Sequence, residues 1–356
     1  MKKFFQLAGL NNPIPGLFGI EIEAEGQGMK KVTNQYWRTE DDGSLRGEFP
    51  TSRAEFVMKA PVMEEEVLPA LQMLVKSLPN AEFDFSYRTS VHVHVNVQEL
   101  TMPQILNMVY TYLLLEEPLM TYCGKARKGN RFCLRLRDAE GMLQVLGEMF
   151  KNEYGYQNAG DNMRYSAINM AALNKYGSIE FRGMRGNMDV EVLHTWTKIL
   201  GKIRTFAMQQ PSPKHVLAII EAKGAVGFMR HVLEELAEPL MYPKVAKDIT
   251  SSYSISLDLP HSYRTPEEVK PLVLKPIIDG DIPKNPKHGQ IIRHETRWYQ
   301  WEQGHGWQGR RKDSALIQQV MMDAGLLPKP PNRPFRHPVG ENPIPQWIVN
   351  NEPQQL

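Results

Sequence analysis

The N-terminal part of the chain contains Phe18-Gly19-Ile20-Glu21-Ile22-Glu23-Ala24-Glu25, in which apolar and acidic residues alternate. This period of two predicts a half-buried β-strand with the isoleucines and the alanine on one face and the three glutamates on the other. Successive carboxylates on that face are about 7 Å apart, and at an effective dielectric of 20 each pair repels by roughly 2 kcal/mol. The glutamates therefore either lie on a solvated outer face or bind cations, and the strand alone leaves both interpretations open.

The composition is that of a globular protein. The chain has 356 residues, 42% of them hydrophobic, and a formal net charge of +2, which gives no electrostatic reason to expect nucleic acid or an anionic membrane as a partner. The sequence contains no run of about 18 apolar residues, and the apolar N-terminus is interrupted at residues 11–13. Two cysteines, Cys123 and Cys133, do not form a disulfide framework and are expected to be buried thiols of a cytoplasmic protein.

The rest of the chain alternates between strand and helix patterns. Strands are predicted at 54–58, 89–97, 164–170 and 178–183, the last two pairing as a hairpin around a turn at 175–177. Helical spacing of apolar residues predicts helices at 64–77, 103–122, 142–152, 190–208 and 215–240. We expect an α+β fold in which a curved antiparallel β-sheet packs helices on its outer face. Residues 1–245 are predicted to form the main domain, and 246–356 a proline-rich extension that is partly extended and packs on the domain or on a partner.

Four of the predicted strands share one pattern, an apolar face opposite a face of metal-ligand residues. The polar faces carry Glu21, Glu23 and Glu25; Glu55; His92, His94 and Asn96; and Glu180 with Arg182. If these faces converge, they would concentrate carboxylates, imidazoles and a guanidinium, a mixture suited to hard divalent cations that bridge phosphate oxygens. Taken alone, the polar face of each such strand is more often a solvated surface.

The ordered series of motifs resembles the amidoligase family of the glutamine synthetase and glutamate–cysteine ligase superfamily of carboxylate–amine ligases. The motifs are Gly19-Ile-Glu-Ile-Glu; Asp42-Gly-Ser-Leu followed by Glu55-Phe-Val; Ser90-Val-His-Val-His-Val; Asn130-Arg131-Phe132-Cys133; Arg164-Tyr165 with Asn169; and Ser178-Ile-Glu-Phe-Arg. The resemblance covers roughly residues 16–240 and leaves out the proline-rich part. It implies a glutamine-synthetase-like catalytic fold and a phage-type member, in which case the protein would act in the host cytoplasm.

The resemblance also implies a role for each matching residue. The metal ligands would be Glu21, Glu23, Glu55, His92 and Glu180. Arg182 would contact the transferred phosphate, and nucleotide or carboxylate substrate would be contacted by His94, Arg131, Arg164 and Asn169. Glu25 and Asp42 are candidate general bases. The segment 46–53 leaves Glu48 open as an alternative to Glu55.

The activity implied is the formation of an amide or isopeptide bond between a carboxylate and an amine, with ATP and Mg²⁺ (or Mn²⁺) as cofactors and an acyl phosphate as intermediate. The substrates would be an amino acid, a peptide or a protein, and a partner protein is a further candidate, as the source of ammonia or substrate. Alternatives are a metal-dependent hydrolase or nuclease and a non-catalytic interaction protein on a degenerate ligase domain. A weaker one is a single-stranded nucleic acid binder that uses the tryptophans and arginines of 293–312. We expect Arg127, Lys128 and Arg137 to lie on a solvated face.

Overall fold

The alternating stretches become neighbouring strands of one antiparallel sheet in a computed structural model of the chain. The structure describes residues 1–10, 13–152, 154–160 and 164–265, and beyond these the short stretches 277–278, 291–294, 297–302 and 306–310 with residues 317 and 321. The strands of this sheet are β1 (Phe18–Gln27), β2 (Trp37–Glu40), β3 (Arg53–Met58), β4 (Glu82–Phe83), β5 (Ser90–Asn96), β6 (Ile168–Asn169) and β7 (Ser178–Arg185). They pair in the order β2-β3-β1-β5-β7-β6, and β4 adds to β1.

The helices follow the apolar periodicity closely. They are α1 (Phe4–Leu7), α2 (Glu64–Ser77), α3 (Met102–Cys123), α4 (Glu140–Lys151), α5 (Ala171–Tyr176), α6 (Val190–Gln209), α7 (Pro213–Leu233), α8 (Val245–Ser256) and α9 (Asp258–Ser262). The predicted helix at 215–240 ends earlier than expected, because the chain continues from Leu233 as a 3₁₀ segment, Glu234–Leu240. With this correction, the α+β class and the antiparallel sheet are confirmed.

The apolar face of the sheet is covered by helices. Val91, Val93 and Val95 on β5 are fully buried, as are their counterparts on β1. Helix α3 is apolar on nearly every side, which is the pattern of a helix surrounded by protein. It approaches β7 so closely that a Cβ atom at Gly183 would lie 2.8 Å from the Met120 sulfur, so a larger residue there would displace the Met120 side chain. The core therefore fixes which face of each strand points away from the helices.

The predicted hairpin at 164–183 forms in a different way. Only Ile168 and Asn169 pair with β7, because the residues before them follow another segment through the bridge between Leu134 and Ser166. The connection is the short helix α5 rather than a turn, and it ends at Gly177, whose φ of +65° is in the left-handed region that favours glycine. This arrangement places Asn169 directly opposite Glu180.

The C-terminal region divides after Tyr263. Helix α8 packs on α3 and helix α9 on α4, so the described residues of the first compact unit extend to Tyr263. The second unit, within 264–338, contains a small sheet of β8 (Ile277–Ile278), β9 (Ile291–His294), β10 (Arg297–Glu302) and β11 (Gly306–Arg310). Trp298 is buried there with Ile291, Ile317 and Met321, so this tryptophan is a core residue of the small sheet. The domain division at residue 245 stays a prediction, and most of 246–356 lies outside the described residues.

Among the residues that the structure describes, no helix combines the length and the apolar character that crossing a lipid bilayer requires.

Candidate functional site

The register of three central strands brings the polar residues of distant segments into one group. Glu21 on β1 is the Cα partner of His92 on β5, and His94 on β5 is the partner of Glu180 on β7. Side chains two residues apart share a face of a strand, so these residues point to the face opposite the helices. We call Glu21, His92, His94, Glu180 and Arg182 the carboxylate–histidine centre. All of them except Arg182 are buried, which excludes the solvated outer face.

Three members of this centre have the spacing of a metal site. One ligand atom each from Glu21, His94 and Glu180 lies within 4.8 Å of the other two. Nε2 of His94 lies 3.4 Å from Oε1 of Glu21. The three residues are only 1–3% exposed. Carboxylate oxygens with one imidazole nitrogen form a donor set for a divalent cation of the Mg²⁺ or Mn²⁺ type, and the described residues place no cysteine in it.

Hydrogen bonds hold Glu180 and His94 of this candidate metal site. The amide of Asn169 donates to Oε2 of Glu180 at 2.6 Å, and the guanidinium of Arg182 donates to Oε1. On the other side, Nδ1 of His94 lies 3.0 Å from the hydroxyl of Ser178. Partners of this kind fix the orientation of a ligand before the metal binds, and their loss typically lowers metal affinity.

A second chain of hydrogen bonds passes through His92. The hydroxyl of Ser90 donates to the carboxylate of Glu23, so its oxygen accepts from Nε2–H of His92 at 2.8 Å. On the other side of the ring, Nδ1 of His92 lies 3.3 Å from Nη1 of Arg182. Nδ1 is also 3.3 Å from one carboxylate oxygen of Glu21 and one of Glu180. Because two carboxylate oxygens converge there, the point favours a positive charge.

The protonation states separate the carboxylates into two groups. Burial by itself would raise the pKa of Glu21, but the hydrogen bonds and charges of His92 and His94 lower it well below its usual range. Burial would also raise the pKa of Glu180, but the positive charge of Arg182 outweighs the effect of burial. The pKa of Glu180 is therefore lowered. The pKa of His94 is raised, because its contact with Glu21 outweighs its burial. Glu21 and Glu180, the carboxylates of the candidate metal site, are therefore ionised at neutral pH.

Glu23 and Glu55 form the second group. Glu55 is the cross-strand partner of Glu23, and both have a raised pKa. Burial is the largest cause in each case, and the negative charges of Glu21 and Glu23 add to it for Glu55. Asp42 also contributes, so its carboxylate belongs to the same electrostatic environment. An excess of carboxylates over cationic groups at one place is stable when a cation binds among them.

The remaining predicted site residues lie around this centre. Glu25 is buried at the far end of the row of glutamates, where its Oε1 accepts from the backbone N–H of Arg46 at 2.8 Å. Asp42 caps its own turn through Ser44, with contacts of 2.7 Å to N–H and 2.9 Å to the hydroxyl. Glu48, the alternative to Glu55, is exposed, whereas Glu55 is paired with Glu23, and this placement favours Glu55.

Arg131 and Arg164 are placed differently from the rest. Both are exposed, and each guanidinium lies over the ring of the next residue, Phe132 at 4.9 Å and Tyr165 at 4.8 Å. The two rings are neighbours, with centroids 6.4 Å apart. These two rings and two guanidiniums form a group of their own, and no described contact joins them to the carboxylate–histidine centre.

The expectation for Arg127 is wrong. Its side chain is 1% exposed, and its guanidinium donates to the carbonyl oxygens of Arg182 at 2.8 Å and Gly183 at 3.3 Å. It therefore anchors the irregular segment after α3 to the strand that carries Arg182. Lys128 and Arg137 are exposed as expected. Sequence analysis also missed Ser90 and Ser178 as residues of the site. Strand alternation could have identified them, because Ser90 is two residues before His92 on β5 and Ser178 is two residues before Glu180 on β7.

The fold and the centre define an α+β protein with a buried site of carboxylates, imidazoles and a guanidinium on one face of an antiparallel sheet. A protein-family model described as "Putative amidoligase enzyme" matches residues 10–203, which is more than half of the chain. The chain belongs to this amidoligase family, so it is a ligase-type enzyme by family. No curated protein matches the chain significantly in sequence.

Proposed function

We propose that the protein is an ATP- and Mg²⁺-dependent carboxylate–amine ligase that forms an amide or isopeptide bond through an acyl phosphate. The observation that carries the proposal is the convergence of Glu21, His94 and Glu180 within 4.8 Å, with Arg182 bonded to Glu180. Family membership supports a ligase, and this donor set supports a ligase that handles a metal–nucleotide complex.

The residues of the metal site fit a divalent cation by their chemistry. Glu21, His94 and Glu180 would hold the ion, with His92, Glu23 and Glu55 as the nearest further candidates. Mn²⁺ suits the imidazole better than Mg²⁺ does, and both suit the carboxylates. A bound ion would supply charge neutralisation at the terminal phosphates.

The protein's own part in phosphoryl transfer would be positioning and electrostatics. Arg182 is held by Glu180 and by His92, and its Nε is buried without a hydrogen-bond partner among the described residues. A guanidinium oriented in this way has a donor left for a phosphoryl oxygen. Such donors act most strongly where charge develops in the transition state.

The reaction would proceed in two balanced steps. A carboxylate oxygen of the substrate attacks the γ-phosphorus of ATP, the bond to the bridging oxygen breaks, and ADP leaves. The amine nitrogen then attacks the acyl carbon, inorganic phosphate leaves with the carboxylate oxygen, and the nitrogen loses a proton. Asp42 and Glu25, at the edge of the centre, are the proposed proton acceptors.

The test is the binding of Mg²⁺–ATP and Mn²⁺–ATP to the full chain by isothermal titration calorimetry, compared with a Glu180→Gln variant. Glu48→Gln is the matched control, because it removes the same charge from an exposed glutamate of the same chain. We expect binding to be lost in the first variant and kept in the control. Unchanged binding in Glu180→Gln would refute the proposal.

A second experiment separates the ligase from the hydrolase alternative. Candidate carboxylates and amines are incubated with ATP and metal, and the release of ADP is followed with the oxygen atoms of the carboxylate isotopically labelled. An acyl phosphate transfers one labelled oxygen to inorganic phosphate. Metal-dependent turnover without ADP formation would instead assign the protein to the hydrolases.

A further inference from the structure

A group of cationic side chains that the proposed reaction does not use lies at the Glu25 end of β1. The guanidinium carbons of Arg46 and Arg88 lie 5.5 and 5.4 Å from the centroid of the Tyr87 ring. Nη2 of Arg46 also donates to the Tyr87 hydroxyl at 3.4 Å. We call Arg46, Tyr87 and Arg88 the arginine cluster. Arg46 and Tyr87 are exposed, with Tyr87 46% accessible, so a ligand can reach them.

The cluster is built rather than incidental. Nη1 of Arg88 donates to the carbonyl oxygen of Ser44 at 2.9 Å, and the amide of Asn130 donates to the carbonyl oxygen of Tyr87 at 2.9 Å. The backbone N–H of Arg46 is bound to Glu25, which places the cluster on the same side of the sheet as the carboxylate–histidine centre. The hydrogen bond and charge of Arg88, together with those of Arg46, lower the pKa of the Tyr87 phenol.

Neither arginine has a carboxylate partner in the part of the chain that the structure describes. Other arginines there do form ion pairs, such as Arg135 with Glu117 at 3.0 Å and Arg230 with Glu238 at 3.5 Å. Nε of Arg88 is, moreover, buried without a hydrogen-bond partner among the described residues. Two guanidiniums with free donors beside one ring are suited to bidentate binding of carboxylates.

The distance along β1 decides which substrate carries the anion. Glu25 is four residues from Glu21, which is about 13 Å at the rise of a strand. In the proposed reaction the charged end of the nucleotide lies at the carboxylate–histidine centre, and the rest of a nucleotide is uncharged. The cluster lies at the Glu25 end of this distance, so it serves the other substrate, and a single amino acid is too short to extend from Glu25 to Glu21.

Resting on the proposed ligase function, we propose that the arginine cluster binds carboxylate groups of an acidic peptide substrate, at the end of β1 that lies about 13 Å from Glu21. This makes the substrate a peptide or a protein segment rather than a free amino acid.

The experiment measures binding of fluorescein-labelled hexaglutamate to the full chain by fluorescence anisotropy, at low ionic strength, with EDTA and without nucleotide. The variants are Arg46→Gln, the double variant Arg46→Gln/Arg88→Gln, and Tyr87→Phe. Arg230→Gln is the matched control, an exposed arginine on α7. Because nucleotide and metal are absent, the result is readable even if the protein does not bind Mg²⁺–ATP.

We expect Kd for hexaglutamate to rise about tenfold for each arginine removed and to change by less than about twofold in Arg230→Gln. Tyr87→Phe keeps the ring and should retain binding. Unlabelled hexaglutamate should displace the probe at lower concentration than free glutamate. In the double variant, Mg²⁺–ATP binding should be unchanged by calorimetry.

Three results would overturn the proposal. One is an absence of peptide binding to the wild-type protein, and another is equal binding by the double variant and the control. The third is a loss of Mg²⁺–ATP binding in the double variant, which would assign the cluster to the nucleotide. Arg46→Gln guards against misfolding of the double variant, because the described contacts of this side chain are with Tyr87 alone.

Discussion

Replacing Glu55 by glutamine should raise the free energy of unfolding of the metal-free protein. The same change should reduce the stability that the protein gains when it binds Mg²⁺. Glu55 and Glu23 are direct cross-strand partners, whose Cβ atoms are about 5 Å apart in antiparallel pairs. Two charges at about 5.5 Å and an effective dielectric of 20 repel by about 3 kcal/mol. Since Glu55 is partly exposed, solvent screening reduces the expected gain of Glu55→Gln to about 1 kcal/mol at pH 7.

The sign of the pH dependence follows from the raised pKa of Glu55. Burial, with the charges of Glu21 and Glu23, raises it above the ordinary value of 4.5, so the folded state binds a proton that the unfolded state releases. The stability that the neutral carboxyl contributes is complete below the unfolded pKa and is lost as pH rises through the folded pKa. Glu55→Gln should therefore match the wild type near pH 4 and exceed it at pH 7.

The assay is urea denaturation at the two pH values, with and without Mg²⁺, and Glu48→Gln as the control that removes an exposed charge. A ligand at about 100 times its Kd adds about 2.7 kcal/mol to the wild type, and Glu55→Gln should gain less if Glu55 helps to hold the ion. A gain of equal size at both pH values would refute the charge argument. An undiminished response to Mg²⁺ would exclude Glu55 as a ligand.

Three other changes test the surroundings of the centre. Arg127→Met should lower the free energy of unfolding by about 2–5 kcal/mol in urea denaturation, because buried carbonyl oxygens lose their donor, whereas exposed Lys128→Met should change it by less than about 0.5 kcal/mol. Ser90→Ala should weaken metal binding about 10–100-fold by calorimetry, since the hydroxyl orients Glu23 and His92; an unchanged Kd would mean that it does not act on the ligands. Burial raises the pKa of Glu116 to about 8, so the free energy of unfolding of the wild type should fall by on the order of 1 kcal/mol per pH unit between about pH 5 and 8. Glu116→Gln should remove this pH dependence in urea titrations.

Much of the candidate site was predictable, because strand parity depends only on neighbouring residues. Glu21 and Glu23, or His92 and His94, must share a face wherever their strand lies in the fold. The valines between the histidines are apolar enough to be buried, so the opposite face was also known. The prediction of helix α2 agrees with its observed bounds for the same reason, since its apolar spacing is local.

Arg127 shows where local patterns stop being informative. In the sequence it is one of several basic residues in an irregular segment, and such residues are usually solvated. Its burial depends on the carbonyl groups of Arg182 and Gly183, which lie more than fifty positions away in the chain. Ser90 is a similar case, because only the pairing of β1 with β5 brings its hydroxyl to Glu23.

The amino-acid sequence by itself determined which residues of each strand face away from the apolar core and that they are carboxylates, imidazoles and a guanidinium. The tertiary structure decided which strands are neighbours and in which register. That register puts Glu21 beside His92 and Glu180 beside His94, whereas Arg131 and Arg164 lie on segments outside these strands. The physical reason is that side-chain alternation is a property of the local backbone, whereas strand register depends on packing between segments far apart in the chain.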